Sequence, residues 1–273
     1  MMPESPYVFG HSQSELSRLA KQGTFYALAT EDMMLRAGIT PGMRVLDVGS
    51  GAGDVALLAA RLVGASGVVV GVERSAEAAA LAQARAAADG LTWCRFIVSD
   101  VDNFMCDETF DAMVGRLVLM YLPDPAATIR SLARHLRPNG IVAFQELYLS
   151  AATAIPDGPL FAQYLKWISE LFGHARVEID MGPKLFATYR RAGLSDPKML
   201  GAMQIVSNVD PLGYEIFSAI VRSLSPLFER FGVVTARELD IDTLEHRLRA
   251  EAMTGGRIHV FPPLIGAWSR IST

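Results

Sequence analysis

The chain has 273 residues, 51% of them hydrophobic, and its 25 Lys+Arg against 29 Asp+Glu leave a formal charge of −4. That composition excludes a disordered chain, and the lack of any basic run argues against a nucleic-acid partner, whose phosphates supply most of the affinity. No apolar run reaches the ~18 residues of a membrane span, the opening Met1-Met2-Pro3-Glu4-Ser5-Pro6 lacks the regions of a secretory leader, and Cys94 and Cys106 alone make neither a zinc cluster nor a disulfide framework, so a cytoplasmic protein without stable membrane association is expected.

In chain order, residues 6–36 read as helical, with Leu16, Leu19, Phe25, Leu28, Met33 and Leu35 at helical spacings. Gly38 closes that segment, and Thr40-Pro41-Gly42 turns the chain into a predicted strand at 44–48. A helix is predicted over 54–62, a β-branched strand over 67–72, and an alanine-rich helix capped by Ser75 and running to Ala88. Strands are predicted at 93–98, 110–114 and 141–147, the last preceded by a helix over 125–136 that Pro138-Asn139-Gly140 stops. Strand and helix alternating in this way imply an α/β fold with a doubly wound, mostly parallel sheet. After Glu146 the rhythm changes. Helices are predicted over 159–172, 182–192, 214–231 and 242–253, a strand within 198–207, and sheet-closing strands at 258–261 and 265–268. The expected organisation is one domain: an N-terminal helical lid (1–40), a core (41–147), a helical insertion with late sheet elements (148–256) and a closing strand region (257–273).

The stretch Val45-Leu46-Asp47-Val48-Gly49-Ser50-Gly51-Ala52-Gly53-Asp54 is richest in chemistry. An apolar strand empties through three alternating glycines into a helix, which presents free N–H groups at the head of a parallel sheet, where nucleotide-like ligands bind. A dinucleotide fingerprint would need glycine at position 54, where Asp54 stands. Glu73, at the end of the second strand, is placed to accept from both ribose hydroxyls of a nucleoside. Asp100 ends the third strand on the adenine side, where its carboxylate accepts from an exocyclic amine while the Val101 N–H meets a ring nitrogen.

With Phe110-Asp111-Ala112-Met113-Val114-Gly115-Arg116 and Leu136-Arg137-Pro138-Asn139-Gly140, this series over residues 45–146 resembles the ordered motifs of class I S-adenosylmethionine-dependent methyltransferases. The run Tyr7-Val8-Phe9-Gly10-His11-Ser12, followed by Glu15, Arg18 and Gln22, and the later Pro262-Pro263-Leu264-Ile265-Gly266-Ala267-Trp268, are similar to a bacterial small-molecule, natural-product subgroup. The resemblance implies a seven-stranded Rossmann-like methyltransferase sheet with 41–147 as the S-adenosylmethionine-binding core. It implies donor contacts from Asp47, Gly49, Gly51, Glu73, Asp100 and Val101, a backbone carbonyl around Gly115 or Arg116 for the donor's α-ammonium, and Gln22 near its carboxylate. Tyr7 and His11 would border the substrate.

Methyl transfer from a sulfonium is an in-line displacement, in which the protein's share is alignment and exclusion of water. No compact Asp/Asn/His set has ligand spacing, so a metal-independent reaction is expected. Candidates for a general base are Glu146, at the end of the fifth strand, and His174, in the insertion. Tyr164 and Trp167, with Phe161, would form an aromatic wall suited to a flat apolar acceptor. The expected substrate is therefore an aromatic or polycyclic secondary metabolite, methylated on oxygen, nitrogen or carbon, the product being S-adenosyl-L-homocysteine. The alternatives are a ubiquinone- or menaquinone-type C-methyltransferase, and a cyclase or regulator that binds the donor without using it. An N-terminal helix of this kind is compatible with packing across a two-fold axis, as in a homodimer.

Overall fold

A computed structural model describes residues 13–207 and 211–271, and the side chains of 23–207 and 212–271. The first helix, α1 (Gln13–Ala37), leads into β1 (Arg44–Val48), α2 (Asp54–Val63), β2 (Val68–Glu73), α3 (Ala76–Ala88), β3 (Cys94–Val98) and β4 (Phe110–Arg116). Then come α4 (Pro125–Ala133), β5 (Leu136–Leu147), β6 (Thr153–Ile155), α5 (Pro159–His174), α6 (Met181–Arg191), β7 (Lys198–Ala202) and β8 (Ile205–Val206). Helices α7 (Pro211–Phe231), α8 (Ala236–Leu239) and α9 (Leu244–Gly255) precede β9 (Ile258–Val260) and β10 (Leu264–Arg270). Seven strands form one sheet in the order β3-β2-β1-β4-β5-β10-β7, in which only β10 runs antiparallel to its neighbours. The fold is α/β, a mostly parallel sheet with helices on its faces.

The central strands read as apolar runs because both of their faces are covered, as parallel sheets require. Val45, Leu46, Val69, Val70, Val114, Val142 and Phe144 are all fully buried. One side packs against α1 and α2 through Met33, Met34, Ala56 and Ala60; the other packs against α4 and the cap helices through Ile129, Phe161, Leu185 and Phe217.

Several predicted elements differ from those observed, among them the single strand expected within 198–207, which is two strands, β7 in the main sheet and β8 in a second one. The helix at 125 ends at Ala133, because Leu136 already pairs with Phe110. Pro138-Asn139-Gly140 lies inside β5 rather than before it, taken up in an irregularity between the Phe110–Leu136 and Ala112–Ile141 pairs with Asn139 at φ 63°. The segment at 258–261 does not close the main sheet. It forms β9, the middle strand of a separate sheet β6-β9-β8. Pro262-Pro263, which offers no ladder N–H, separates it from β10.

Helix α6 is locked to the sheet by Tyr189. Its hydroxyl accepts from the Phe144 N–H of β5 (3.0 Å) and donates to the Ala267 carbonyl of β10 (2.7 Å), bridging the two strands at a paired position. Burial pushes the phenol's pKa well above its usual value, so it stays a neutral donor. Tyr189→Phe leaves two buried backbone groups without that partner. It should cost about 1–3 kcal/mol, read as a lower urea midpoint with an unchanged m-value.

Candidate functional site

At the carboxyl edge of the sheet a cavity of about 210 Å³ runs from the glycine loop to the cap helices. Its polar end is built by three strand exits. Gly49, Gly51 and Gly53 all take positive φ (66°, 52° and 87°), a region open to glycine at little cost. A Cβ on Gly49 would stand 2.6 Å from Val118 Cγ2. Glu73 leaves β2 with its carboxylate folded back on the loop: Oε2 accepts from Gly51 N–H and Oε1 from Ser75 N–H, both at 2.9 Å. Asp100 follows β3 and caps the next turn by accepting from Asp102 N–H at 3.0 Å. Asp54 begins α2 and is paired with Arg85 at 2.8 Å. Helix α1 closes over it at Gly23, where a Cβ would fall 2.3 Å from the Asp54 carboxyl carbon.

Asp47 lies within β1, fully buried, and neither carboxylate oxygen has a hydrogen-bond partner among the described residues. Burial raises its pKa well above the ordinary carboxylate range, and the charge of Arg116 opposes that rise only in part. Arg116 ends β4 and lines the cavity. Its Nη1 donates to Thr30 Oγ1 of α1 at 2.9 Å, and its guanidinium carbon stands 5.8 Å from the centre of the Tyr26 ring.

Between the two ends runs the segment leaving β4. Leu117 has φ 56°, uncommon for a branched residue, and Leu117, Val118, Met120, Tyr121 and Leu122 all face the cavity. Glu146 holds this segment from behind. Its Oε1 accepts from the N–H groups of Val118 (3.0 Å) and Leu119 (2.7 Å), while Oε2 has no partner among the described residues. Burial pushes its pKa up to about 8, against the lowering effect of those N–H groups.

The far end is apolar. Leu147 and Leu149 supply one side; Leu165, Ile168 and Phe172 on α5, and Ile216, Phe217 and Ile220 on α7, supply the others.

The predicted site residues fall into three groups. Gly49, Gly51, Glu73, Asp100, Val101 and Arg116 come together on the cavity wall; Asp47 and Gly115 lie just behind it, buried in their strands. The second group is displaced. Glu146 is absent from the wall and its carboxylate is occupied with backbone, so it anchors a loop where a base was expected. His174 sits at the exposed outer end of α5, stacked on Phe231 at 5.6 Å, away from the cavity. Tyr164 and Trp167 occupy the neighbouring stripe of α5. The Tyr164 hydroxyl donates to the Leu239 carbonyl and accepts from Arg247, and Trp167 packs edge-on against the Tyr164 ring. The wall expected from them is built instead by Leu165, Ile168 and Phe172. Third, Tyr7 and His11 lie outside the described residues, as does the side chain of Gln22.

Residues 39–175, half the chain, match a family model described as a methyltransferase domain. The chain belongs to this methyltransferase family. An arsenite methyltransferase of Aquipseudomonas alcaligenes is 28% identical over 225 residues, 78% of this chain and 58% of that protein. A 2-phytyl-1,4-naphtoquinone methyltransferase of Synechococcus elongatus is 34% identical over 128 residues, 45% of this chain and 52% of that protein. The chain thus spans about half the length of the curated relatives it matches. The crystal structure of a putative methyltransferase from Bacillus halodurans superposes with a TM-score of 0.57 at 17% identity, over 89% of this chain and 99% of that one, a likeness of fold alone.

The methyltransferase match ends at residue 175, so the walls given by α7 and by Phe261 and Pro262 lie beyond it. The apolar periodicity of α7 was legible in the sequence, but the residues it turns to the cavity depend on packing against α1, α5 and α9.

Glu146 also gives a pH test. Its folded pKa of about 8 lies above the ordinary 4.5, so its charge destabilises the fold progressively as pH rises from 4.5 to 8 and by a constant amount above that. The isosteric Glu146→Gln removes the penalty and keeps an oxygen for the two N–H groups. The melting temperature of the variant relative to wild type should therefore climb between pH 5 and 8 and level off beyond; a constant difference across that range would contradict the assignment.

Proposed function

We propose that the protein transfers a methyl group from S-adenosylmethionine to a small apolar acceptor. The observation that carries this reading is the continuity of one cavity from an acidic, glycine-floored end to an apolar one. The polar end suits an adenosine. At Gly49 and Gly53 its glycine loop has no room for a Cβ, Glu73 retains acceptor capacity beside its two N–H partners, and Asp100 and Val101 flank the space beyond. Buried Asp47, whose oxygens lack partners among the described residues, lies behind the loop, where the ammonium of an amino acid would favour its charged form against burial. Bound there, S-adenosylmethionine supplies a methyl on a positively charged sulfur.

This chain's own residues would then do the positioning. The Leu117–Leu122 segment, fixed by Glu146, separates the two ends and sets the line along which an acceptor approaches. The leucine, isoleucine and phenylalanine walls exclude water, so that an acceptor held between α5 and α7 meets few competing orientations. Such walls favour an aromatic or polycyclic acceptor. They do not favour arsenite, although one relative bears that name: trivalent arsenic is thiophilic, soft centres want thiolates, Cys94 is buried and Cys106 lies off the cavity wall. A quinone-type ring with a lipid tail fits the same walls and differs only in length.

The reading is tested by calorimetry with S-adenosylhomocysteine and NAD. The first should bind and the second should not; Glu73→Ala and Asp100→Ala should each weaken the first by about tenfold to a hundredfold, the worth of lost hydrogen bonds to a charged group. Phe217→Asp should leave that binding intact and abolish label transfer to aromatic acceptors. NAD binding, or indifference to both carboxylate substitutions, would refute the donor site.

A further inference from the structure

We infer that His259 is a positioning residue for the acceptor: with Tyr214 and Glu251 it forms a buried polar cluster behind the apolar walls that sets the spacing of α5 and α7, and hence which acceptors fit. The inference rests on the acceptor reading above and deepens it by naming what fixes that end of the cavity. His259 is the middle residue of β9 and fully buried, on the inner face of the small sheet beside Ala154 and Val206. Its Nδ1 lies 3.0 Å from the hydroxyl of Tyr214 on α7, which is itself buried. Its Nε2 faces Glu251 Oε2 of α9 at 3.6 Å. The Glu251 carboxylate in turn accepts from the N–H groups of Leu160 (2.8 Å) and Phe161 (3.3 Å), at the start of α5. Gly158, the N-cap of that helix, offers those donors no side chain, and it admits the carboxylate: a Cβ there would stand 2.9 Å from Oε2.

A polar ring buried among apolar side chains is unfavourable unless its nitrogens are matched, so the value of this one lies in the directions it imposes. A carboxylate only accepts, which puts the neutral ring's single proton on Nε2 and leaves Nδ1 to accept from the Tyr214 hydroxyl. Burial lowers the ring's pKa, with Glu251 opposing and Arg257 assisting, so it is neutral at pH 7. Apolar contacts alone let two helices slide past each other, whereas this series of donors and acceptors is matched at one placement of α5 against α7. Those two helices carry the acceptor walls, Leu165, Ile168 and Phe172 on one and Ile216, Phe217 and Ile220 on the other. The cluster also touches the walls from behind. The His259 ring packs at a steep angle on Phe161, with centroids 4.7 Å apart, and Phe161 packs on Phe217 at 5.2 Å and on Phe261 at 5.7 Å, both of which line the cavity. Tyr214 precedes Phe217 by about one helical turn, so its hydroxyl fixes the stretch of α7 that presents that ring.

The test reads two affinities side by side: that of N-phenyl-1-naphthylamine, a neutral aromatic whose fluorescence rises in apolar sites, and that of S-adenosylhomocysteine. Tyr214→Phe deletes one oxygen, and His259→Phe keeps a ring while deleting both nitrogens. Each should weaken the aromatic probe by about tenfold, as leaving a buried group without its partner does. Each should change S-adenosylhomocysteine binding by less than about twofold, the margin for a site that shares no partners with the cluster. His259→Asn, whose amide restores a polar group near the Nδ1 position, should recover part of the probe's affinity. Intact S-adenosylhomocysteine binding also certifies that the variants are folded. A cluster that merely stabilised the fold would lower their melting temperatures and leave the probe's affinity unchanged, and that result would overturn the inference. Equal losses for both ligands would overturn it too. Should the His259 variants fail to fold, Tyr214→Phe and Glu251→Gln, which keeps an oxygen for the α5 donors, decide on the same split. The control is Phe217→Asp, which should abolish probe binding. If wild type does not bind the probe, or Phe217→Asp binds it equally well, the acceptor reading has failed and the inference falls with it, a result distinct from cluster variants that leave a Phe217-dependent site untouched.

Discussion

A single carboxylate fixes the shape of the cavity. When parallel strands deliver their carboxyl ends to one edge, the chain leaving each strand must turn across that edge, and the turn after β4 does so at a cost. It begins with Leu117 in the left-handed region, at φ 56°, a conformation that costs a residue with a Cβ roughly 1–2 kcal/mol. It also points the N–H groups of Val118 and Leu119 back into the protein. Glu146 answers both problems from the adjacent strand, with one oxygen shared between the two N–H groups. The carboxylate is thereby held where burial opposes its charge, at a pKa of about 8. With its pKa at that value the carboxyl is mostly neutral at pH 7, which avoids a fully buried charge while its hydrogen bonds still define the path of five cavity-lining residues.

That path divides the cavity electrostatically. On the sheet side stand Asp54, Glu73, Asp100, Asp102, Arg74 and Arg116; beyond Leu122 the walls are hydrocarbon. A ligand with a sulfonium, an ammonium and a carboxylate finds opposite charges only on the first side. An acceptor finds none on the second. The division follows from the architecture, because strand ends carry the polar residues while α5 and α7 contribute faces that would otherwise join the core.

The sheet was legible because its signals are local. Valine-rich strands, three alternating glycines and a Ser75 cap act over a few residues, and the structure places β1, β2, β3 and the Ser75 cap within a residue or two of their expected positions. The polar residues at strand ends were legible for the same reason: a strand terminus fixes which edge of the sheet a side chain serves. Pro138-Asn139-Gly140 misled because its turn chemistry holds equally inside a strand, as a bulge. The apolar end was illegible for a different reason. On α5 the residues Phe161, Tyr164, Leu165, Trp167, Ile168 and Phe172 form one broad apolar face, so periodicity alone does not say which part of it meets the cavity. Tyr164 is turned from the cavity by partners about eighty residues away, the Leu239 carbonyl and Arg247. Their importance has no signature in the local sequence.

The same argument explains why Glu146 lies behind the cavity wall and Arg116 on it. Glu146 was expected beside the transferring methyl as a base, whereas residue 116 was expected to offer its backbone carbonyl. Side chains alternate along a strand, and a shift of one residue decides whether a terminal side chain lies behind the next loop or in front of it. Glu146 has Leu147 after it in β5, and the wall belongs to Leu147. Arg116 is the last residue of β4, and the chain beyond it turns at Leu117, which leaves Arg116 on the cavity wall with its guanidinium held by Thr30 and the Tyr26 ring of α1. A base must reach the substrate, and a charged side chain one residue inside the strand end reaches the neighbouring backbone instead. In the proposed transfer Glu146 would thus serve by holding the Leu117–Leu122 path, and the described walls would contribute orientation and exclusion of water.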